Sequence, residues 1–217
     1  MSSGLIALNI GKPKTQTYQG REIETGIHKD PVQGRIYLST LNLDGDGQAD
    51  LVHHGGVDKA LCAYPHEHYS YWEKDIGQTL SYGAFGENLT TKGLSEDEVC
   101  IGDIFCFGEA FIQISQPRRP CFKVAARYNV PDFTLRIQRT GYTGFYFRVL
   151  KEGWVAPDSP LHLIERHPAG VSVTFANQCK YHDISNVQAL QTLLAVRELS
   201  ASWRAGFEKQ LEALKPY

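Results

Sequence analysis

Residues 98–115 read EVCIGDIFCFGEAFIQIS and decide the interpretation of the fold. Two short runs rich in Ile, Val and Phe are separated by Gly108 and Glu109. Such runs bounded by turn residues are typical of β-strands, and a two-residue connection that contains glycine is typical of a tight hairpin. We therefore predict strands over residues 98–107 and 110–115, joined by a tight turn.

Five further runs of the same kind lie on both sides of this hairpin. They are short, rich in Ile, Val, Phe, Tyr and Leu, and punctuated by Gly, Pro, Asp and Asn. Their irregular spacing and long glycine-rich connections favour a β-barrel over a regular βα repeat. The runs are residues 4–9, 34–39, 61–64, 144–150 and 161–164.

Two short helices are predicted within this strand-rich region. Residues 65–74 and residues 120–128 each begin with a proline, a residue that is favoured in the first turn of a helix. The second helix would hold Cys121 in its first turn. There the helix dipole and the free backbone amides favour an anionic thiolate.

The character of the sequence changes after residue 167. Residues 187–214 have apolar side chains at helical spacing and are rich in Leu, Ala, Gln and Glu. We predict two or three helices from about residue 168 onward. The expected fold class is β-rich α+β, with a β-barrel domain over residues 1–165 and a small helical domain over residues 166–217.

The composition is that of an ordinary globular protein. The 217 residues suffice for one good-sized hydrophobic core, and 42% apolar with 21% charged residues argues against disorder. The formal net charge of −2 provides no general field for nucleic acid or for an anionic membrane. Any anion-binding site must therefore come from a local cluster of cations.

The cysteines and the N-terminus predict a compartment. Five cysteines without a C-x-x-C pair suit a reducing cytosol better than a disulfide framework or a structural zinc site. The N-terminus has no basic stretch followed by a long apolar run, and no apolar run approaches the roughly 20 residues of a membrane helix. We expect a cytoplasmic protein that binds neither nucleic acid nor membranes.

One cysteine, Cys121, has a setting suited to chemistry. It ends the run Gln116-Pro117-Arg118-Arg119-Pro120-Cys121, in which two prolines stiffen the chain and two arginines supply cations. Nearby cations favour the thiolate form of a cysteine. Cys62, Cys100 and Cys106 lie in apolar runs and are typical of small core residues. The local sequence suits a nucleophile as well as a metal ligand.

Three glycine-containing stretches are candidates for ligand-binding turns. The His-His-Gly-Gly turn of residues 51–60 can direct backbone amides and Lys59 at an anion. Residues 82–89 allow close backbone approach and offer polar groups to a heterocycle. Residues 139–148 carry two arginines suited to phosphate or carboxylate. Each stretch is equally compatible with an ordinary surface turn or hairpin.

Four segments in this order resemble those of MOSC-domain proteins, most closely the bacterial YiiM type. They are His53-His54-Gly55-Gly56-Val57-Asp58-Lys59-Ala60, Phe85-Gly86-Glu87-Asn88-Leu89, Ile101-Gly102-Asp103 and the run that ends at Cys121. The resemblance spans most of residues 1–165. The helical tail resembles the three-helix domain that follows the MOSC domain in that subgroup.

The resemblance implies a β-barrel that binds the molybdenum cofactor, a pterin dithiolene carrying molybdenum. It implies that Cys121, the cysteine of a Q-P-R-x-P-C motif, ligates the metal. It also implies reduction of N-hydroxylated compounds such as 6-N-hydroxylaminopurine, with electrons from a separate flavin-type reductase. The apolar face of the helical tail is compatible with packing either on the protein's own barrel or across a homodimer.

The residues expected to form the site fall into two sets. The catalytic set is Cys121, His53, His54 and Glu87, with proton delivery open among the last three. The cofactor-binding set is His53, His54, Gly55, Gly56, Asp58, Lys59, Phe85, Gly86, Glu87, Asn88, Gln116, Arg118, Arg119, Arg139 and Arg148.

Two other functions are compatible with these residues. MOSC domains are also associated with cofactor sulfuration, so the chain can be a sulfur carrier or cofactor-handling protein with a persulfide on Cys121. The discriminating feature would be a fused aminotransferase-like domain, for which 217 residues leave no room. A plain binding module for anionic small molecules would need the basic cluster but not Cys121.

Overall fold

The computed structural model describes residues 4–50 and 54–215. This part of the chain contains twelve strands and six α-helices. The strands are β1 Gly4–Ile10, β2 Lys14–Tyr18, β3 Arg21–Thr25, β4 Asp30–Pro31, β5 Ile36–Leu38, β6 Leu61–Pro65, β7 Leu89–Lys92, β8 Ile104–Phe107, β9 Ala110–Pro117, β10 Phe145–Lys151, β11 Gly153–Val155 and β12 Leu161–Glu165. The helices are α1 Tyr69–Ile76, α2 Phe122–Tyr128, α3 Phe133–Thr140, α4 Val173–Tyr181, α5 Val187–Leu194 and α6 Ala201–Ala213.

Eight of the described strands form one curled sheet, a half-barrel. Their order is β12-β8-β9-β10-β6-β7-β1-β4, and every pair is antiparallel except β6 with β7. The pairs β2–β3 and β5–β11 lie outside it. The expected β-rich α+β fold with a β-barrel is therefore confirmed, and so is the tight turn at Gly108, which has a φ of 56°.

Several predicted elements have different bounds in the structure. The strand expected over residues 98–107 begins only at Ile104 and ends at Phe107, because Gly102 has a φ of 93° and turns the chain. Pro65 ends β6 in an extended conformation, so the helix expected from residue 65 begins as a 3-10 turn at His66–His68. The hairpin β2–β3 was not predicted, because both of its strands are mostly polar. The helix α3 was not predicted either.

Three helices follow the sheet, as expected. The predicted helical stretch over residues 187–214 is interrupted between α5 and α6, where Ser200 begins α6 by accepting a hydrogen bond from the Trp203 amide. Ser172 and Asn186 begin α4 and α5 in the same way, as the N-cap preference of these residues predicts. None of the helices in residues 4–50 and 54–215 is long and apolar enough to cross a membrane.

One hydrophobic core joins the sheet to the three C-terminal helices. Ile112 and Phe147 of the sheet belong to the same buried cluster as Val173, Leu193 and Phe207 of the helices. A second cluster packs α1 and α3 against the loop before β7, with Trp72, Phe85 and Phe133 at its centre. The helices therefore form part of the body of the protein, and the first residues of α6 reach the region around Cys121.

Candidate functional site

Two adjoining cavities meet at Cys121. The first, which we call the lysine cavity, has a volume of about 590 Å³ and is lined by residues that include Lys29, Lys123 and Arg118. The second, the Trp203 cavity, has a volume of about 940 Å³. Both volumes include space that is open to solvent. The residues that line both cavities are His54, Lys59, Cys121 and Tyr146.

Cys121 is the N-cap residue of α2 and is partly exposed. Its backbone is extended, with φ −122° and ψ 165°, so the residue lies just before the helix. We had predicted that it would lie in the first turn. Its carbonyl oxygen accepts hydrogen bonds from the Val124 amide at 3.2 Å and from the Thr134 hydroxyl at 3.2 Å. These bonds hold the residue at the junction of the two cavities.

Arg118 lines the lysine cavity and is only 5% exposed. Its Nη2 donates to the Phe85 carbonyl oxygen at 2.7 Å, and its backbone amide donates to the Gly144 carbonyl at 2.9 Å. Its Nη1 is buried and has no hydrogen-bond partner among the residues that the structure describes. Because burying an unpaired charged donor is costly, this guanidinium suits an anionic ligand in the cavity.

Further cations surround the same cavity. Lys29 forms a buried ion pair with Asp46, whose carboxylate also accepts from the Asn88 amide at 2.9 Å. Burial and then the charge of Arg119 lower the pKa of Lys59. A neutral amine is harder to protonate beside another cation, so the contribution of Arg119 reflects positive charge near Lys59. The chain, with a net charge of −2, therefore concentrates positive charge at the cleft formed by the two cavities.

His54 lines both cavities as a neutral imidazole. The pKa of His54 is lowered to about 4. Burial is the largest cause, and the charges of Arg118 and Lys123 also contribute. We had placed His54 in both the catalytic and the cofactor-binding sets, and at neutral pH its ring offers one donor and one acceptor without a charge. Because it lines both cavities together with Cys121, it suits hydrogen bonding or proton transfer to a ligand there.

The low pKa of His54 predicts a pH dependence of stability. An unfolded histidine takes up a proton near pH 6.5, whereas folded His54 does so only near pH 4. Protonation therefore favours the unfolded state as the pH falls from 6.5 to 4, and the free energy of unfolding decreases. His54→Gln should lose less stability than the wild type over this window in urea unfolding experiments. Equal losses in the two proteins would contradict the prediction.

The segment 85–88 lies beside the lysine cavity, but only part of it faces the space. Phe85, Gly86 and Asn88 line the cavity. Glu87 does not. It is fully buried and accepts hydrogen bonds from the Gly83 and Phe85 amides at 3.0 and 2.9 Å. Glu87 lines neither cavity, so the structure gives no support to the expectation that it delivers protons to a ligand.

Other expected residues lie outside the cavities. Arg148 forms an ion pair with Asp58 at 2.7 Å, so these two side chains neutralise each other at the end of the 3-10 turn Val57–Lys59. Arg139 is exposed on α3. Gly55 and Gly56 line neither cavity. His53 lies outside the described residues.

The remaining expected residues line one cavity or both, together with several that the sequence did not single out. Gln116 and Arg119 line the Trp203 cavity. The unexpected lining residues include Tyr146 of β10 and Cys62 of β6. These two residues are paired on neighbouring strands. Local sequence offered no signal for them, because Cys62 and Tyr146 are typical strand residues whose neighbourhood is set by register.

The two cavities also contain residues that are far from Cys121 in the sequence. Lys29 and residues 47–49 form part of the lysine cavity, and Ser202 with Trp203 of α6 forms part of the Trp203 cavity. The residues in and around the Q-P-R-x-P-C motif lie between them. The sequence motifs had marked the lining residues within 53–60, 85–89 and 116–121, but not those within 25–49 or at the start of α6.

Two protein families match adjacent parts of the chain. The MOSC domain matches residues 50–162, and the YiiM-like 3-alpha helix domain matches residues 171–214. The lining of the lysine cavity therefore includes residues between Thr25 and Ala49 that lie outside the MOSC match. The lining of the Trp203 cavity includes two residues of the helical match.

Individual proteins are similar over nearly the whole chain. A Bacillus subtilis (strain 168) protein named "Uncharacterized protein YflK" is 52% identical over 212 residues, which are 98% of this chain and 96% of that protein. The crystal structure of YiiM from Geobacillus stearothermophilus is 41% identical with a TM-score of 0.82, covering 97% of this chain and 100% of that one.

A more distant relative bears a functional name. A protein of Gibberella moniliformis (strain M3125 / FGSC 7600) named "Reductase" is 37% identical over 169 residues, which are 75% of this chain and 29% of that protein. The two family matches follow one another along the chain, and the Bacillus and Geobacillus proteins are similar to it over nearly its whole length. This chain belongs to the MOSC-domain family, in the group whose members carry the YiiM-like three-helix domain.

Proposed function

We propose that this protein binds the molybdenum cofactor in the cleft, with Cys121 as the metal ligand, and removes oxygen from N-hydroxylated compounds such as 6-N-hydroxylaminopurine. MOSC family membership supports a domain that binds this cofactor. The name of the Gibberella relative supports a reductase. The observation that carries the proposal is the buried, unpartnered Nη1 of Arg118 in a cationic cavity beside Cys121.

The residues of the lysine cavity fit a pterin that carries a phosphate. Arg118 and Lys123, with Lys59, supply positive charge for the phosphate. Ile27 and Phe85 are buried apolar side chains on the same lining, suited to a planar heterocycle. Cys121 offers a soft thiolate, and one thiolate suffices where a dithiolene supplies the other sulfurs.

When bound, the molybdenum centre supplies the two-electron removal of the hydroxyl oxygen. In balance, R–NHOH, two electrons and two protons give R–NH2 and water, and the N–O bond is the bond that breaks. With the cofactor bound, Cys121 would hold the metal, and the cations of the lysine cavity would hold the phosphate. His54, neutral at pH 7, can accept a proton at one ring nitrogen and donate from the other. Electrons come from a separate flavin-type reductase.

Metal analysis tests the proposal directly. Protein purified from cells that make the cofactor should contain close to one molybdenum per chain and should reduce 6-N-hydroxylaminopurine. Arg118→Met should lower the molybdenum content, because the phosphate loses its buried cation. Arg197→Met is the matched control, since Arg197 is exposed and lines neither cavity.

The same preparation separates the proposal from the sulfur-carrier alternative. Wild-type protein without molybdenum but with cyanide-labile sulfane sulfur on Cys121 would replace the reductase with the carrier. Molybdenum content that is equal in the Arg118 and Arg197 variants would remove the role that we assign to Arg118.

A further inference from the structure

We infer that the Trp203 cavity is the substrate site and that the start of α6 selects planar N-hydroxylated aromatic or heteroaromatic amines. This inference rests on the proposed function and assigns the two cavities different ligands. The helical domain would then act in substrate choice as well as in packing.

The charges of the two cavities differ. Besides Lys59, which both share, the lysine cavity is lined by Lys29, Lys123 and Arg118, and its described lining contains no acidic residue. The Trp203 cavity has Arg119, but also Asp50. An anionic phosphate is therefore favoured in the first cavity. The second cavity, in which Asp50 offsets one of the two cations Lys59 and Arg119, is less positive and suits a neutral compound better than the first.

The walls of the Trp203 cavity suit a flat ring. Phe122 follows Cys121 directly, lines the cavity and is 52% exposed, so part of its ring is available for stacking. Trp203 forms a buried apolar surface that packs on Phe207, with ring centroids 5.5 Å apart. Aromatic faces bind planar heterocycles with little demand on their substituents.

A polar edge lies on the same lining. The Ser202 hydroxyl donates to the Gln116 side-chain oxygen at 3.3 Å, and the Gln116 amide donates to the Pro117 carbonyl at 3.1 Å. The Ser200 and Ser202 hydroxyl oxygens also lie 3.4 Å apart. The Ser202 oxygen has two lone pairs and keeps at least one for an N–H group of a ligand. An amino- or hydroxylamino-substituted heterocycle presents such a group.

The start of α6 is firmly fixed relative to the sheet. The Ala201 amide donates to the Asp58 carboxylate at 3.1 Å, and the Ser200 amide donates to the Ser115 carbonyl oxygen at 2.9 Å. Asp58 is held in turn by Arg148. A ligand in this cavity reaches Cys121 without entering the lysine cavity, because Cys121 lines both.

The test compares Phe122→Ala and Ser202→Ala with the wild type in three measurements. They are molybdenum per chain, the calorimetric Kd for adenine as an unreactive planar probe, and kcat/KM for 6-N-hydroxylaminopurine and for hydroxylamine. Base–aromatic stacking is worth about 1–3 kcal/mol. We therefore expect Phe122→Ala to weaken adenine binding about fivefold or more and to lower the purine-to-hydroxylamine selectivity by a similar factor.

Matched variants separate a binding role from a structural one. Phe122→Tyr should restore adenine affinity, because it keeps the ring. Phe111→Ala and Ser70→Ala remove an exposed ring and an exposed hydroxyl that line neither cavity, and should bind adenine like the wild type. Unchanged adenine affinity in both Phe122→Ala and Ser202→Ala would overturn the inference, as would loss of molybdenum with unchanged selectivity.

The adenine measurement also separates this inference from the proposed function. If the wild type reduces no N-hydroxylated compound but binds adenine in a Phe122-dependent manner, the proposed reaction fails and the binding site stands. If the wild type reduces the purine but Phe122→Ala leaves both adenine affinity and selectivity unchanged, the site assignment fails and the reaction stands.

Discussion

Cys121→Ser is expected to remove molybdenum from the protein and to lower N-hydroxylamine reduction by at least about 100-fold. Loss of an outer-shell partner of a metal ligand commonly reduces metal affinity or activity by about 10–100-fold, so loss of the ligand itself should do at least as much. Serine keeps the size of the side chain but replaces a soft thiolate with a hydroxyl that suits the metal poorly. Metal analysis and a turnover assay on the same preparation measure both effects.

The fold should tolerate this substitution. Cys121 is partly exposed, and the hydrogen bonds from Val124 and Thr134 are accepted by its backbone carbonyl, which serine retains. Cys106→Ser is the matched control, because Cys106 is a partly buried free cysteine that lines neither cavity. A Cys121→Ser protein with near-normal molybdenum content and turnover would refute the assignment of Cys121 as metal ligand.

Glu87→Gln should destabilise the folded protein by roughly 2–5 kcal/mol, the largest effect on stability that we predict. The carboxylate is fully buried and accepts from the Gly83 and Phe85 amides, the Thr90 hydroxyl and the Tyr69 hydroxyl. Glutamine has one acceptor oxygen, and its NH2 group would face N–H or O–H donors. At least one buried donor would then be left without a partner.

Urea unfolding of Glu87→Gln at pH 7 measures this effect. Glu67→Gln is the matched control, because Glu67 accepts a single hydrogen bond from the Gly93 amide at the surface. A loss below about 1 kcal/mol is expected there. If the two variants unfold at the same urea concentration, the buried network around Glu87 does not contribute as we argue.

Glu87 also shows where sequence interpretation failed. Beside Phe85 and Asn88 it looked suitable for a ligand edge or for proton transfer. In the structure the turn at Gly86, with a φ of 79°, directs successive side chains differently, so Asn88 faces the cavity and Glu87 is buried among backbone amides. A local pattern can predict a turn, but not which of its side chains faces the ligand.

Arg118 and Arg119 give a second example. They are adjacent and chemically identical in the sequence. The structure buries Arg118 on the lysine cavity, with Nη1 unpartnered, whereas Arg119 lines the Trp203 cavity. Only the packing of the segment 117–121 against β10 and Phe85 distinguishes them. The sequence could therefore predict a basic site at Cys121, but not the different roles of its two arginines.

The sequence by itself determined the fold class, the tight turn at Gly108, the three C-terminal helices and the importance of the segment ending at Cys121. These features depend on local periodicity, turn residues and a contiguous motif, all of which can be read along the chain. Tertiary structure alone decided that Lys29, Tyr146 and Trp203 lie around Cys121. Their proximity depends on strand register and on the packing of α6 against the sheet, and contacts between distant segments leave no mark on the local sequence.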